Sequence, residues 1–151
     1  MLLFLDIDGV MVPAKSWKSP HLLSDGFSEF SSQAVQVLQD IVDEDTSVLL
    51  TTSHKSSYSI SEWKNIFLKR GIFIQKLDVL NENKLGLSRK EEIENWFKSN
   101  SVNQPFIIID DDKSLNGLPK SLKQNLVQTS SMIGLTIGHL EEIRFKLRML
   151  S

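Results

Sequence analysis

An α/β fold with a central parallel sheet is what this sequence predicts, on three observations. Five short apolar runs, at residues 2–7, 47–51, 72–75, 106–109 and 126–129, recur along the chain. The segments between them show the three-four apolar spacing of helices, which makes each connection a crossover. Most of the runs are continuous rather than alternating, as strands covered by helices on both faces are.

The elements follow in order. The apolar opening Met1 to Leu5 lacks a basic flank and meets Asp6 after five residues, too short to be exported or to span a bilayer, and is read as a buried strand. The first helix carries Ala34, Val35, Leu38 and Ile41, with Ser31 or Ser32 able to cap its start. After the second strand, Trp63, Ile66, Phe67 and Arg70 repeat the spacing, and Gly71 supplies a C-terminal cap leading into the third run. Ser88 and Glu91 form a capping-box pair, so the next helix should start near Arg89 and carry Ile93, Trp96 and Phe97. The last helix places Leu140, Ile143, Leu147 and Leu150 on one stripe. The aromatic residues at helical spacing, Trp63, Phe67, Trp96 and Phe97, read as core.

The bulk properties bound this picture. At 151 residues, 40% hydrophobic and 24% charged, the chain has the size and balance of one globular domain, and residues 1–151 are expected to form it. A net charge of −2 gives no chain-wide attraction to nucleic acid or to an anionic membrane, so a polyanionic partner would need a local basic patch. The absence of cysteine excludes thiol chemistry, disulfides and cysteine-ligated metals. A cytoplasmic location is the default expectation, and no apolar run approaches the roughly 20 residues of a membrane span.

In a parallel α/β sheet ligands sit at the carboxyl ends of strands, so polar residues ending apolar runs are the first candidates for chemistry. Asp6 and Asp8 close the first run before Gly9, Thr51 and Thr52 close the second, Lys90 opens the third crossover helix, and Asp110, Asp111 and Asp112 close the fourth. Carboxylates gathered at buried strand ends need a positive partner. A hard divalent cation such as Mg²⁺ suits oxygen ligands and substrate phosphate. With Mg²⁺ and a lysine sharing the charge, Asp6 can attack phosphorus, and Asp8 can protonate the leaving oxygen and later activate water. Strand alternation puts Asp6 and Asp8 on one face if the strand reaches that far.

Asp6-Ile7-Asp8-Gly9-Val10 resembles the first motif of the haloacid dehalogenase superfamily in its phosphatase form. Val48-Leu49-Leu50-Thr51 resembles the second motif, whose terminal hydroxyl binds the transferring phosphoryl group, with Thr52 as the alternative register. Lys90 in Ser-Arg-Lys-Glu-Glu-Ile is similar to the third-motif lysine, with Lys84 as the competing candidate. Ile107-Ile108-Ile109-Asp110-Asp111 is similar to the fourth, acidic motif.

The resemblance implies a Rossmann-like three-layer sandwich on a parallel sheet of about five strands. It implies a Mg²⁺-dependent phosphomonoester hydrolase working through an aspartyl-phosphate on Asp6. Asp6 and Asp110 would give carboxylate ligands, Asp8 a backbone carbonyl, and Asp111 an outer or lysine-orienting contact. Asp8 also marks the phosphatase and mutase branches against the dehalogenases. The Asp-Gly-Val-Met-Val-Pro opening and Met132-Ile133-Gly134-Leu135-Thr136 further resemble the small haloacid dehalogenase domains associated with RNA repair, although those more often carry aromatic and arginine residues where His54 and Lys55 stand.

Only 42 residues separate Asp8 from Thr51, which leaves no room for an inserted cap domain once a helix is placed. An uncapped crevice favours a substrate that covers the site itself, a phosphorylated nucleic-acid end or a phosphoprotein, over a small metabolite. The flap at 10–30 carries Lys15, Trp17, Lys18 and His21, which could hold phosphates and stack a base, or Trp17 could simply pin the flap. A Ser53–His54 nucleophile is disfavoured because adjacent residues rarely bring their reactive atoms together, and the three histidines lack metal-ligand spacing. Two other readings are a receiver-like phospho-accepting domain, which would need an aspartate at the end of the third strand, and an inactive binding module keeping the fold.

Overall fold

The computed structural model describes residues 1–14 and 21–150. Five strands form one sheet: β1 (Leu2–Leu5), β2 (Ser47–Leu50), β3 (Lys76–Val79), β4 (Phe106–Asp110) and β5 (Leu126–Gln128). All pair in parallel, in the order β3-β2-β1-β4-β5. Helices α1 (Ser32–Ile41), α2 (Ile60–Lys69), α3 (Arg89–Ser99) and α4 (Lys120–Lys123), with a 3-10 turn at Lys113–Gly117, connect the strands, and α5 (Ile137–Leu150) follows β5. The order reverses direction between β1 and β4, the switch point where α/β sheets bind ligands. Among the described residues no helix is long and apolar enough to cross a membrane.

Strand alternation divides the core into two layers. Leu3, Leu5, Val48, Leu50, Ile107 and Ile109 face Ala34, Val37 and Leu38 of α1, Trp63, Ile66 and Phe67 of α2, and Ile143 of α5. Leu2, Phe4, Leu49 and Ile108 face the opposite side, against Ile93 of α3, Leu115 and Leu118. Phe4 anchors that layer, meeting Trp96 edge-on at 5.0 Å and Phe97 at 5.3 Å between ring centroids. Helices thus cover both faces, giving the Rossmann-like three-layer sandwich.

The caps read from sequence are present. Ser31 Oγ accepts from Ala34 N–H at the start of α1. Ser88 with Glu91 closes a complete capping box, and so does Ser59 with Glu62, a cap not read from the sequence.

The third strand is not at 72–75 but at Lys76–Val79. Gly71, at φ +85°, ends α2 in a Schellman motif, its N–H bonding Leu68 O while Ile72 N–H bonds Phe67 O. The buried Ile72 and Ile74 therefore belong to the cap and connection. Lys76 and Asp78 are exposed, so the edge strand that follows alternates and is not a continuous apolar run. The first strand also ends earlier than the run 2–7. Beyond Asp6 the chain folds back, with Val10, Met11 and Val12 N–H groups all directed at the Ile7 carbonyl.

Within 10–30, the described part contains this turn and a small hairpin bridged at Leu22 and Ser28. Arg70 anchors the hairpin. Its guanidinium grips both Asp25 oxygens at 2.7 and 3.0 Å and donates to the Ser28, Phe27 and Ile66 carbonyls, and it lies over the Phe27 and Phe30 rings. Lys15, Trp17 and Lys18 lie outside the described residues, while His21 is exposed at the base of the hairpin.

Candidate active site

The register of the three central strands builds the site. Leu5 pairs with Leu50 and with Ile109, so the next residues, Asp6, Thr51 and Asp110, stand side by side across β1, β2 and β4. The backbone holds them there, with Asp6 N–H on Ile109 O at 3.1 Å and Thr51 N–H on Leu5 O at 2.9 Å. By alternation all three side chains emerge on the face of Phe4, Leu49 and Ile108, the face covered by α3. Asp6 is only 4% exposed, and Thr51 and Asp110 are fully buried.

The N-terminus of α3 reaches this row through Arg89. Its Nη1 lies 2.5 Å from Asp110 Oδ2, 3.5 Å from Asp6 Oδ1 and 3.2 Å from Thr51 Oγ1, and the Thr51 hydroxyl donates to Asp110 Oδ2 at 3.3 Å. Behind it, Glu92 receives the buried ammonium of Lys55 at 2.9 Å and stands 3.7 Å from Arg89 Nε.

Lys90, expected on the phosphoryl group, is placed elsewhere. Its ammonium pairs with Glu94 at 3.0 Å, and its aliphatic stem packs beside Gly117. Consecutive helical residues point about 100° apart, so only one of Arg89 and Lys90 can face the strand ends. Lys84 is exposed and lines a cavity of about 480 Å³ with Leu85, Glu92, Asn95 and Trp96, a lining that includes none of the three carboxylates.

Asp6, Asp110 and Asp111 each offer an oxygen within 4.8 Å of the others. Gly9 makes room for this: at φ +80°, a Cβ there would sit 2.0 Å from Asp111 Oδ2. Its carbonyl accepts from the buried Thr129 hydroxyl at 2.7 Å, tying the turn to the end of β5. Burial, then repulsion from Asp110, pushes the Asp6 carboxyl up to about 9, against a smaller opposing pull from Arg89. Burial also raises Asp110. One guanidinium thus leaves the trio short of positive charge, and three carboxylates with hard oxygen donors fit a divalent cation such as Mg²⁺.

The strand has ended before Asp8, so strand alternation does not set the direction of its side chain. Its carboxylate is exposed and lies 2.7 Å from His54 Nε2. Thr52 is buried, and its hydroxyl accepts from His54 N–H at 3.2 Å, committing it to the turn after β2. Asp112 caps the 3-10 turn, accepting from Ser114 N–H at 2.8 Å.

The structure therefore gathers Asp6, Thr51, Asp110 and Asp111, leaves Asp8 at the rim, and sets Lys90, Thr52 and Lys84 aside. Arg89 was legible only as a basic residue one place before Lys90. The Lys55–Glu92 pair gave no local signal, since its partners are 37 residues apart.

Comparison with curated proteins gave no match, and neither did comparison with solved structures. Residues 2–140 match the family described as HAD domain in Swiss Army Knife RNA repair proteins. Spanning both halves of the sheet and every site residue described above, that match places the chain in this family of haloacid dehalogenase domains.

Proposed function

We propose that the protein is a Mg²⁺-dependent phosphomonoester hydrolase that forms an aspartyl-phosphate on Asp6. The observation that carries the reading is the row Thr51–Asp6–Asp110 with Asp111 within 4.8 Å and Arg89 across it. Asp6, Asp110 and Asp111, with the backbone carbonyl of Asp8, would hold Mg²⁺. When bound, the ion would neutralise the carboxylates and polarise the phosphoryl oxygens.

Asp6 attacks phosphorus, Thr51 and Arg89 hold the non-bridging oxygens, and Asp8 donates the proton to the leaving oxygen and then takes one from water. Arg89 suits this role because its planar fork matches phosphate geometry. Its Nε, buried and without a hydrogen-bond partner among the described residues, leaves a donor to spare when the fork re-forms around an oxyanion.

Family membership favours a phosphorylated nucleic-acid end as substrate. The short stretch between Asp8 and Thr51 supports the same reading, since a single uncapped domain leaves the crevice open to a bulky chain. Against a receiver-like domain stands the sheet order: β3 is an edge strand here, whereas a 2-1-3-4-5 receiver sheet carries its third strand at the centre.

The test is a phosphatase screen with Mg²⁺ over p-nitrophenyl phosphate, nucleotides, phosphopeptides and 3′- or 5′-phosphorylated oligonucleotides. Asp6→Asn and EDTA should each abolish turnover, and full activity in either case would sink the mechanism.

A further inference from the structure

The turn after β2 fixes one residue at the mouth of the crevice. Thr52 Oγ1 accepts from His54 N–H at 3.2 Å, Ser57 N–H donates to the His54 carbonyl at 2.8 Å, and Lys55 N–H closes on Thr52 O at 3.1 Å. The imidazole meets the Phe27 ring edge-on, 6.2 Å between centroids at 85°. Phe27 is held in turn by Arg70, which lies over its ring and takes its carbonyl. Backbone and ring are thus both set, and Nε2 lies 2.7 Å from Asp8 Oδ2.

Asp8 needs such a partner. It follows the end of the strand, its side chain is 60% exposed, and an aspartate in that setting has several staggered rotamers open to it. We propose that His54 is the positioning residue for Asp8: Nε2–H donates to Oδ2 and aims the carboxyl so that Oδ1 carries the transferable proton. The inference rests on the phosphatase reading above.

In the first half-reaction an Asp6 oxygen bonds to phosphorus as the ester P–O bond breaks, and the Asp8 proton passes to the leaving oxygen. In the second, a water oxygen bonds to phosphorus, the Asp6–phosphorus bond breaks, and the water proton passes to Asp8 as phosphate departs. His54 makes and breaks no covalent bond in either half.

A misaimed acid matters in proportion to how much the leaving group needs a proton. p-Nitrophenolate departs readily as an anion, and unsubstituted phenolate does so far less readily. The parameter kcat/KM covers steps only through departure of the leaving group, so it isolates the first half-reaction.

His54→Phe keeps the ring against Phe27 and removes the nitrogen, while His54→Gln puts an amide donor near the position of Nε2. With Mg²⁺ present, His54→Phe should lower kcat/KM for phenyl phosphate by about tenfold or more, and for p-nitrophenyl phosphate by less than about threefold. His54→Gln should recover most of the loss. Asp8→Asn should show the same leaving-group split, and adding His54→Phe to it should change nothing further. Equal losses on the two esters, no loss, no recovery by glutamine, or a further loss in the double variant would each overturn the assignment. Should His54→Phe fail to fold, as judged by its melting temperature, His54→Ala against His54→Gln decides on the same readout. A wild-type protein inactive on both esters and on every substrate of the Mg²⁺ screen removes the phosphatase reading and His54 with it. A wild type active on the esters with unsplit losses, or active only on other substrates with no loss in His54→Phe, removes the His54 assignment alone.

Discussion

Arg89 Nη1 sits 2.5 Å from Asp110 Oδ2 and 3.5 Å from Asp6 Oδ1, so a single guanidinium spans the two most buried carboxylates at the carboxyl edge of the sheet. Because a guanidinium does not deprotonate in proteins, this charge persists across the working pH range. The neighbouring Lys90 is already engaged with Glu94. Arg89→Met is expected to lower kcat/KM for p-nitrophenyl phosphate by at least about a hundredfold, and Lys90→Met by less than about threefold. Steady-state rates decide between them, and a Lys90→Met as damaging as Arg89→Met would return the phosphate to Lys90.

The Asp6 carboxyl, raised to about 9 by burial and by Asp110, makes the stability of the metal-free protein depend on pH. Between the ordinary aspartate value near 4 and about 9, the folded chain holds a proton that the unfolded chain has lost. The contribution is therefore complete below about 4 and disappears as pH rises through 9. In EDTA, the melting temperature should fall from pH 5 to pH 9 by more than the roughly 2–4 °C that 1 kcal/mol represents in a chain of this size. Asp6→Asn should flatten the slope. A metal-free protein more stable at pH 9 than at pH 5 would contradict the charge balance described here.

Gly9 lets Asp111 approach the first-strand turn. Alanine there would place a Cβ 2.0 Å from Asp111 Oδ2 at a φ of +80°, so the carboxylate must withdraw from Asp6 and Asp110. Gly9→Ala should raise the half-saturating Mg²⁺ concentration for turnover by about tenfold or more, and cost about 1–2 kcal/mol of backbone strain. A Mg²⁺ titration of activity checks the first, and an unchanged midpoint would show that Asp111 does not help to hold the ion.

Arg70 is buried and donates to three backbone carbonyls besides Asp25, so Arg70→Met strands acceptors as well as a carboxylate. A loss of about 3 kcal/mol or more in urea denaturation is expected. The hydrogen bond from Arg70 holds Asp25 down to about 2, the opposite sign to Asp6. The stability from this pair is complete above the unfolded value near 4 and is lost as pH falls through about 2. Asp25→Asn should thus destabilise at pH 6 and make progressively less difference below pH 4, and a difference that grows in acid would refute the pairing.

Local chemistry was readable where it is carried by near neighbours. Ser88 with Glu91 marked the start of α3, Gly71 the end of α2, and continuous apolar runs marked β1, β2 and β4. The edge strand escaped because burial on a sheet edge is one-sided: Leu77 is buried between exposed Lys76 and Asp78, while the more apolar 72–75 segment serves a helix cap. Lys90 illustrates a different limit. Sequence places a cation at the first turn of α3, but which of two adjacent residues turns inward depends on the rotation of the helix about its axis, fixed by Ile93, Trp96 and Phe97 against Phe4.

By itself the sequence determined the parallel α/β class, the strand ends at which Asp6, Thr51 and Asp110 stand, and the acidic character of those ends. All of these follow from period-two and period-3.6 patterns and from carboxylates at the ends of buried runs. Only the tertiary structure decided the register that sets those three residues in one row, the choice of Arg89 over Lys90, and the contacts of His54 with Asp8 and of Lys55 with Glu92. Each depends on how separate segments are shifted and rotated against one another, and that is settled by packing across the sheet rather than by any local pattern.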